Sequence, residues 1–182
     1  MEDRKVILKI EHLCKDFDIK AKSFTGKALK LHALSDISLD IYEGETLGII
    51  GESGCGKSTL GRCLVNLHPI TSGKLVYDGK ELNRLRKKER QALSREIQMV
   101  FQDPYSSLDP RHTAADSVEE PMIVHKTPAT ARERQERTIG LFKEVGLDMQ
   151  HLNRYPHEFS GGQRQRLNIA RAIASNPRVV IC

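Results

Sequence analysis

The stretch GESGCGKST, Gly51–Thr59, decides how the rest of the chain is read. Gly51, Gly56, Lys57 and Ser58 satisfy G-x-x-x-x-G-K-[ST] in full. The stretch follows an apolar run, Thr46–Ile50, which predicts a short buried strand, and it opens a helix predicted from Lys57 to about Leu67. Strand, glycine-rich loop and helix together form a phosphate cradle. Glycines let the backbone turn several N–H groups toward phosphate oxygens. The helix N-terminus adds partial positive charge. In such a cradle Gly51, Glu52, Ser53, Gly54, Cys55, Gly56, Lys57, Ser58 and Thr59 surround the phosphates of a nucleoside triphosphate. Lys57 reaches the β- and γ-phosphates, and the Ser58 hydroxyl ligates Mg²⁺.

Working outward, the N-terminal part reads as β-rich. Val6–Leu13, Ile37–Ile41 and Lys74–Gly79 predict strands, with turns at EGE and DGK. The polar segment from Phe17 to Leu34 predicts an exposed loop excursion. Glu96–Pro104 predicts another buried strand, stopped at Asp103-Pro104. From Thr113 to about Ser175 the apolar spacing turns helical. The chain shows no internal repeat and no low-complexity tract.

Composition bounds the function. The 182 residues carry a net charge of +5, 38% hydrophobic residues and no tryptophan. The basic stretches Arg84–Arg90 and Ala131–Arg137 contain acids at helical spacing, which predicts solvated helix faces. No interleaved aromatics support a nucleic-acid surface. The four cysteines form no CxxC pair, and MEDRKVILKIEHL lacks a signal peptide's apolar core, which together predict reduced thiols in a cytoplasmic protein. No apolar run approaches a membrane span.

A second motif narrows the class. In FSGGQRQR, Ser160 and two glycines open a helix. Serine is an ordinary N-cap. Two glycines in the first turn weaken the helix by about 1 kcal/mol each relative to alanine. That cost is explained if backbone N–H groups must lie against a ligand.

Gly51–Thr59, Gln102 after an apolar strand, and Ser160–Gln163, in this order, resemble the cassette of the ABC transporter ATPases. Phe159 stands where the family usually has leucine. The resemblance implies an α/β P-loop NTPase fold, an ABC-type nucleotide-binding domain. It would comprise an N-terminal antiparallel β subdomain with the P-loop core to the Q-loop (about 1–111), an inserted helical subdomain (about 112–175) and the start of a further core strand (176–182). It implies ATP and Mg²⁺ as ligands. Gln102 would be the catalytic-site glutamine that positions water or Mg²⁺. Ser160, Gly161, Gly162 and Gln163 would contact the γ-phosphate held by the opposite subunit of a head-to-tail dimer. Phe17 in CKDFDI is the best match for the adenine-stacking aromatic, with a packed core phenylalanine as the alternative.

VFQDPYSSLDPR, Val100–Arg111, is similar to the stretch after the Q-loop in oligopeptide, dipeptide and nickel importers. This implies transmembrane permease subunits, a second ABC ATPase subunit and, indirectly, an extracytoplasmic solute-binding protein as partners. It also implies a peripheral place on the cytoplasmic face of the membrane. Peptide is the expected solute and nickel the alternative. A soluble ABC ATPase of DNA repair or translation is the competing class, and the segment between Gln102 and Ser160 lacks the sustained heptads of the repair type. In the family, Asp-Glu continues the strand that starts at Val179. The sequence therefore reads as a cassette incomplete at its C-terminus, with the general base beyond the chain end. The expectation is a chain that binds nucleotide and hydrolyses little.

Overall fold

The computed structural model describes residues 4–19, 29–128 and 130–182. They fall into two compact units, Met1–Arg90 and Gln91–Cys182.

The first unit is built on a four-stranded antiparallel sheet in the order β2-β1-β3-β4. Its strands are β1 (Val6–Ile19), β2 (Leu29–Tyr42), β3 (Ser72–Tyr77) and β4 (Lys80–Glu81). Helix α1 (Lys57–Leu64) lies between β2 and β3 in sequence. Ile7, Leu8, Ile10, Leu13 and Leu75 from the sheet are buried, as are Leu60, Cys63 and Leu64 from α1. The 3.6-residue spacing in KSTLGRCL places the α1 side chains on one face of the helix, whereas Ile7 and Leu8 are buried as neighbours where the β1–β2 register shifts between Val6 and Leu8.

The second unit is helical around a short parallel pair. Strands β5 (Ile97–Met99) and β6 (Val179–Ile181) pair Ile97 with Val179 and Met99 with Ile181. Helices α3 (Ala114–His125), α4 (Ala131–Glu144) and α5 (Gly161–Ile173) pack around Val118, Met122, Leu141, Phe142, Phe159 and Leu167. Helix α2 (Lys87–Glu96) spans the boundary between the units. The basic stretch Ala131–Arg137 lies on α4, where Arg132 pairs with Glu136 at i,i+4, as its spacing predicts.

Several sequence expectations need correction. Thr46–Ile50 is not a paired strand among the described residues, and Ile50 is 98% exposed. An apolar run becomes a strand only when neighbouring backbone supplies its ladder bonds. The excursion from Phe17 to Leu34 is strand at both ends: Phe17 pairs with Leu31 and Ile19 with Leu29. Register shifts between Ile10 and Leu13 and between Lys15 and Asp16 break the alternation there, hiding the strand from a period-2 reading. The middle of that excursion, residues 20–28, lies outside the described residues. Helix α1 stops at Leu64 instead of Leu67, because Asn66 takes a left-handed conformation (φ 58°) and the Leu67 N–H closes on the Arg62 carbonyl at 2.8 Å. Glu96–Pro104 holds a strand of only three residues, Ile97–Met99.

Candidate functional site

The loop Gly51–Thr59 wraps the N-terminus of α1. Gly54 and Gly56 have φ of 83° and 100°. A Cβ on Gly56 would meet the Ala33 carbonyl oxygen at 2.6 Å and Leu34 Cδ2 at 2.8 Å. Glycine is therefore required there by both conformation and space. The first helical bond runs from the Leu60 N–H to the Gly56 carbonyl at 2.8 Å. The N–H groups of Lys57, Ser58 and Thr59 precede it, and no side chain caps them.

The contrast with the other long helices is informative. Thr113 with Asp116, Thr130 with Glu133, and Ser160 with Gln163 each form a reciprocal capping box on α3, α4 and α5. Helix α1 alone among these four carries neither a capping side chain nor an acid in its first turn. Its N-terminus keeps donors and partial positive charge available to an anion. The Lys57 ammonium folds over the loop, donating to the Gly51 and Glu52 carbonyls at 2.7 and 2.6 Å and to Cys55 Sγ at 3.4 Å. The Ser58 side chain is exposed.

Phe17 is half-buried at the far end of β1. The Lys15 ammonium lies 4.7 Å from its ring centroid, and His68 meets the ring edge-on at 5.3 Å and 85°. Burial pushes the Cys63 thiol upward, and the Lys15 charge opposes that shift.

In the second unit, Gln102 is exposed just beyond β5. The chain after it folds into a turn in which Asp103 accepts from the Tyr105 N–H at 2.9 Å. That bond and a further one from the Ser106 hydroxyl hold the Asp103 carboxyl below its ordinary range. The turn is fastened to α5 by three residues at i, i+4 and i+7. The Arg164 guanidinium covers the Tyr105 ring at 3.8 Å. Asn168 Nδ2 donates to the Pro104 carbonyl at 3.4 Å. Arg171 donates to the Ser107 carbonyl at 2.5 Å and to the Glu120 carboxylate at 2.9 Å. Sequence reasoning missed this ladder. Its signal was a polar row, Arg164, Asn168 and Arg171, on a helix whose apolar row is Leu167, Ala170 and Ala174.

Ser160 caps α5, accepting from the Gln163 N–H at 3.3 Å, while Gln163 Oε1 accepts from the Ser160 N–H at 2.9 Å. A Cβ added at Gly161 or Gly162 would meet nothing within 4 Å, and neither has positive φ. The fold of this chain therefore does not require glycine at either position. The structure brings Gly51–Thr59 together in one loop and Ser160–Gln163 in one cap. Gln102 and the cap lie in the unit Gln91–Cys182, and the loop lies in the other.

Comparison with known proteins bears on this arrangement. A family profile described as ABC transporter matches residues 34–182. The chain is 46% identical over 176 residues to the oligopeptide transport ATP-binding protein OppF of Bacillus subtilis (strain 168), covering 96% of this chain and 55% of that protein. It is 46% identical over 175 residues to the glutathione import ATP-binding protein GsiA of Pectobacterium atrosepticum, covering 96% of this chain and 28% of that protein. The chain thus spans about half or less of the curated relatives it matches. Among solved structures it resembles the dimeric ATP-binding cassette MJ0796 bound to ADP and Pi, with a TM-score of 0.85 and 33% identity, covering 96% of this chain and 72% of the other. CbiO1 of Clostridium perfringens, part of the transporter complex cbiONQ, gives a TM-score of 0.74 at 28% identity, covering 96% and 64%. The chain belongs to the ABC transporter family.

Proposed function

We propose that the chain binds MgATP at Gly51–Thr59 and serves as the energy-coupling ATPase part of an importer for peptides. The observation that carries this reading is the uncapped, glycine-shaped N-terminus of α1 with Lys57 folded over it. The loop N–H groups and Lys57 bind and orient the phosphates. Mg²⁺, a hard cation that favours oxygen ligands, suits the exposed Ser58 hydroxyl. When bound, it would neutralise charge on the phosphate oxygens. Gln102 orients water or the metal. Ser160, Gly161, Gly162 and Gln163 address the γ-phosphate of a nucleotide held by a second ATPase subunit, and the open space beside both glycines suits close backbone approach.

Peptide is the favoured solute class because two relatives named for oligopeptide and glutathione transport match equally well, at 46% identity each. Permease subunits, and a solute-binding protein acting through them, are the expected partners. No helix among the described residues is long and apolar enough to cross a membrane. A peripheral place on the cytoplasmic membrane face, through the permease subunits, follows from the importer reading. The test is uptake of a labelled peptide by cells carrying the wild-type gene or Lys57→Ala. Uptake that depends on Lys57 supports the importer reading. Unchanged peptide uptake, with loss of nickel uptake or of neither, contradicts it.

A further inference from the structure

Arg164 is buried, with 7% of its surface exposed. Among the described residues its guanidinium meets a ring and two carbonyls, and no carboxylate. One face lies 3.8 Å from the centroid of the Tyr105 ring. Nε donates to the Pro156 carbonyl at 2.7 Å, and Nη2 donates to the His157 carbonyl at 3.5 Å. Nη1 is buried with no acceptor. Burying a cation without an acid is costly, and so is a buried donor left unmet. An apolar side chain kept for packing alone would avoid both costs. What the guanidinium supplies is direction. Its planar fork holds carbonyls at its edge and a ring on its face at once, which a lysine does not do. Both groups it holds lead to candidate site residues. The turn Pro156–Glu158 runs through buried Phe159 into the Ser160 cap. Tyr105 follows Gln102 in the turn that Asp103 closes.

We propose that Arg164 is a positioning residue: it holds the turn that carries Gln102 and the Ser160–Gln163 cap in one frame, so that the two move together. This inference rests on the dimer reading above and names the side chain through which the cap acts. When the cap meets the γ-phosphate of a nucleotide on a second subunit, the Pro156 and His157 carbonyls shift with it. Arg164 passes that shift to Tyr105 and so to the turn after Gln102. The unmet Nη1 donor fits this role, because the guanidinium is oriented by the ring and the carbonyls and not by satisfaction of all its donors. The stack on Tyr105 transmits direction as well as attraction, since a guanidinium over an aromatic face is held both by charge and by plane-to-plane contact.

The chain contains no tryptophan, so Tyr105→Trp places a single emitter on the Arg164 guanidinium. In that background MgATP should bring copies of the full chain together, read by light scattering, and the emission should change over the same range. Adding Arg164→Met should weaken the association about tenfold or more, the size of a lost charged hydrogen bond, and remove the emission change. The MgATP affinity of the dilute, unassociated chain should stay as it was. Arg164→Lys keeps the charge without the fork and should behave like Arg164→Met. Arg171→Met loosens the other end of the same ladder and should keep both signals, which separates positioning from the stability of the helical unit. Association and emission change retained in Arg164→Met overturn the proposal. So does wild-type behaviour of Arg164→Lys, an equal loss in Arg171→Met, or loss of MgATP affinity along with association. If the unsubstituted chain binds MgATP without associating, or binds none, the reading above itself fails and this inference falls with it.

Discussion

The Arg171 guanidinium donates to the Ser107 carbonyl at 2.5 Å and joins the turn after Gln102 to the helix that begins at Ser160. The same side chain pairs with Glu120 on α3 at 2.9 Å. One residue therefore binds a loop and two helices of the second unit. Arg171→Met should lower that unit's stability by about 1–3 kcal/mol, because a charged hydrogen bond to a partly buried carbonyl is lost. Glu120→Gln should cost about 0–1 kcal/mol, since that ion pair is partly exposed and screened. Chemical denaturation of both variants and the double variant checks this. Equal effects from the two single changes would place the weight on the ion pair instead.

Two glycines should respond in opposite ways. Gly56→Ala forces a side chain into positive φ and against the Ala33 carbonyl. It should destabilise the first unit by about 1–3 kcal/mol and abolish nucleotide binding. Gly162→Ala meets open space on a helix and should stabilise the fold by up to about 1 kcal/mol. Under the proposed dimer role it should also reduce ATP-dependent association of two copies. Thermal melts and light scattering with and without MgATP separate the two effects.

Acid should loosen the helical unit through its caps. The Asp116 carboxyl, which accepts from the Thr113 hydroxyl and N–H, sits below its ordinary value. A carboxyl depressed in the folded state binds protons more readily when unfolded. Its contribution is therefore complete above the ordinary aspartate value of about 4 and disappears as pH falls through the lower folded value. Melting temperature should drop between about pH 5 and 2. Asp116→Asn should begin lower and show a shallower drop, measurable by circular dichroism across that range.

The glycine-shaped loop before α1 and the Ser160–Gln163 cap of α5 were legible as local structure because both depend on local residue order. Gly56 needs its conformation, and Ser160 needs Gln163 three residues on. The ladder from Arg164 to Arg171 was not legible, because its partners, Pro104, Tyr105 and Ser107, are distant in sequence and contribute mainly backbone carbonyls and one ring. Thr46–Ile50 misled for a related reason. Its apolar residues satisfy a strand pattern, yet Leu47, Ile49 and Ile50 are all exposed among the described residues. A ladder partner is a tertiary fact that a run of hydrophobic residues does not supply.

The most direct measurement is equilibrium titration of the chain with MgATP, beside Lys57→Ala and Gly56→Ala. The wild type should show saturable one-site binding. Lys57→Ala should weaken it by about tenfold or more, as expected when a charge-assisted contact to phosphate is removed. Lys57→Ala should keep its helical signal. Wild-type affinity in Lys57→Ala, or no binding by a folded wild-type chain, would contradict the assignment of Gly51–Thr59 as the nucleotide site.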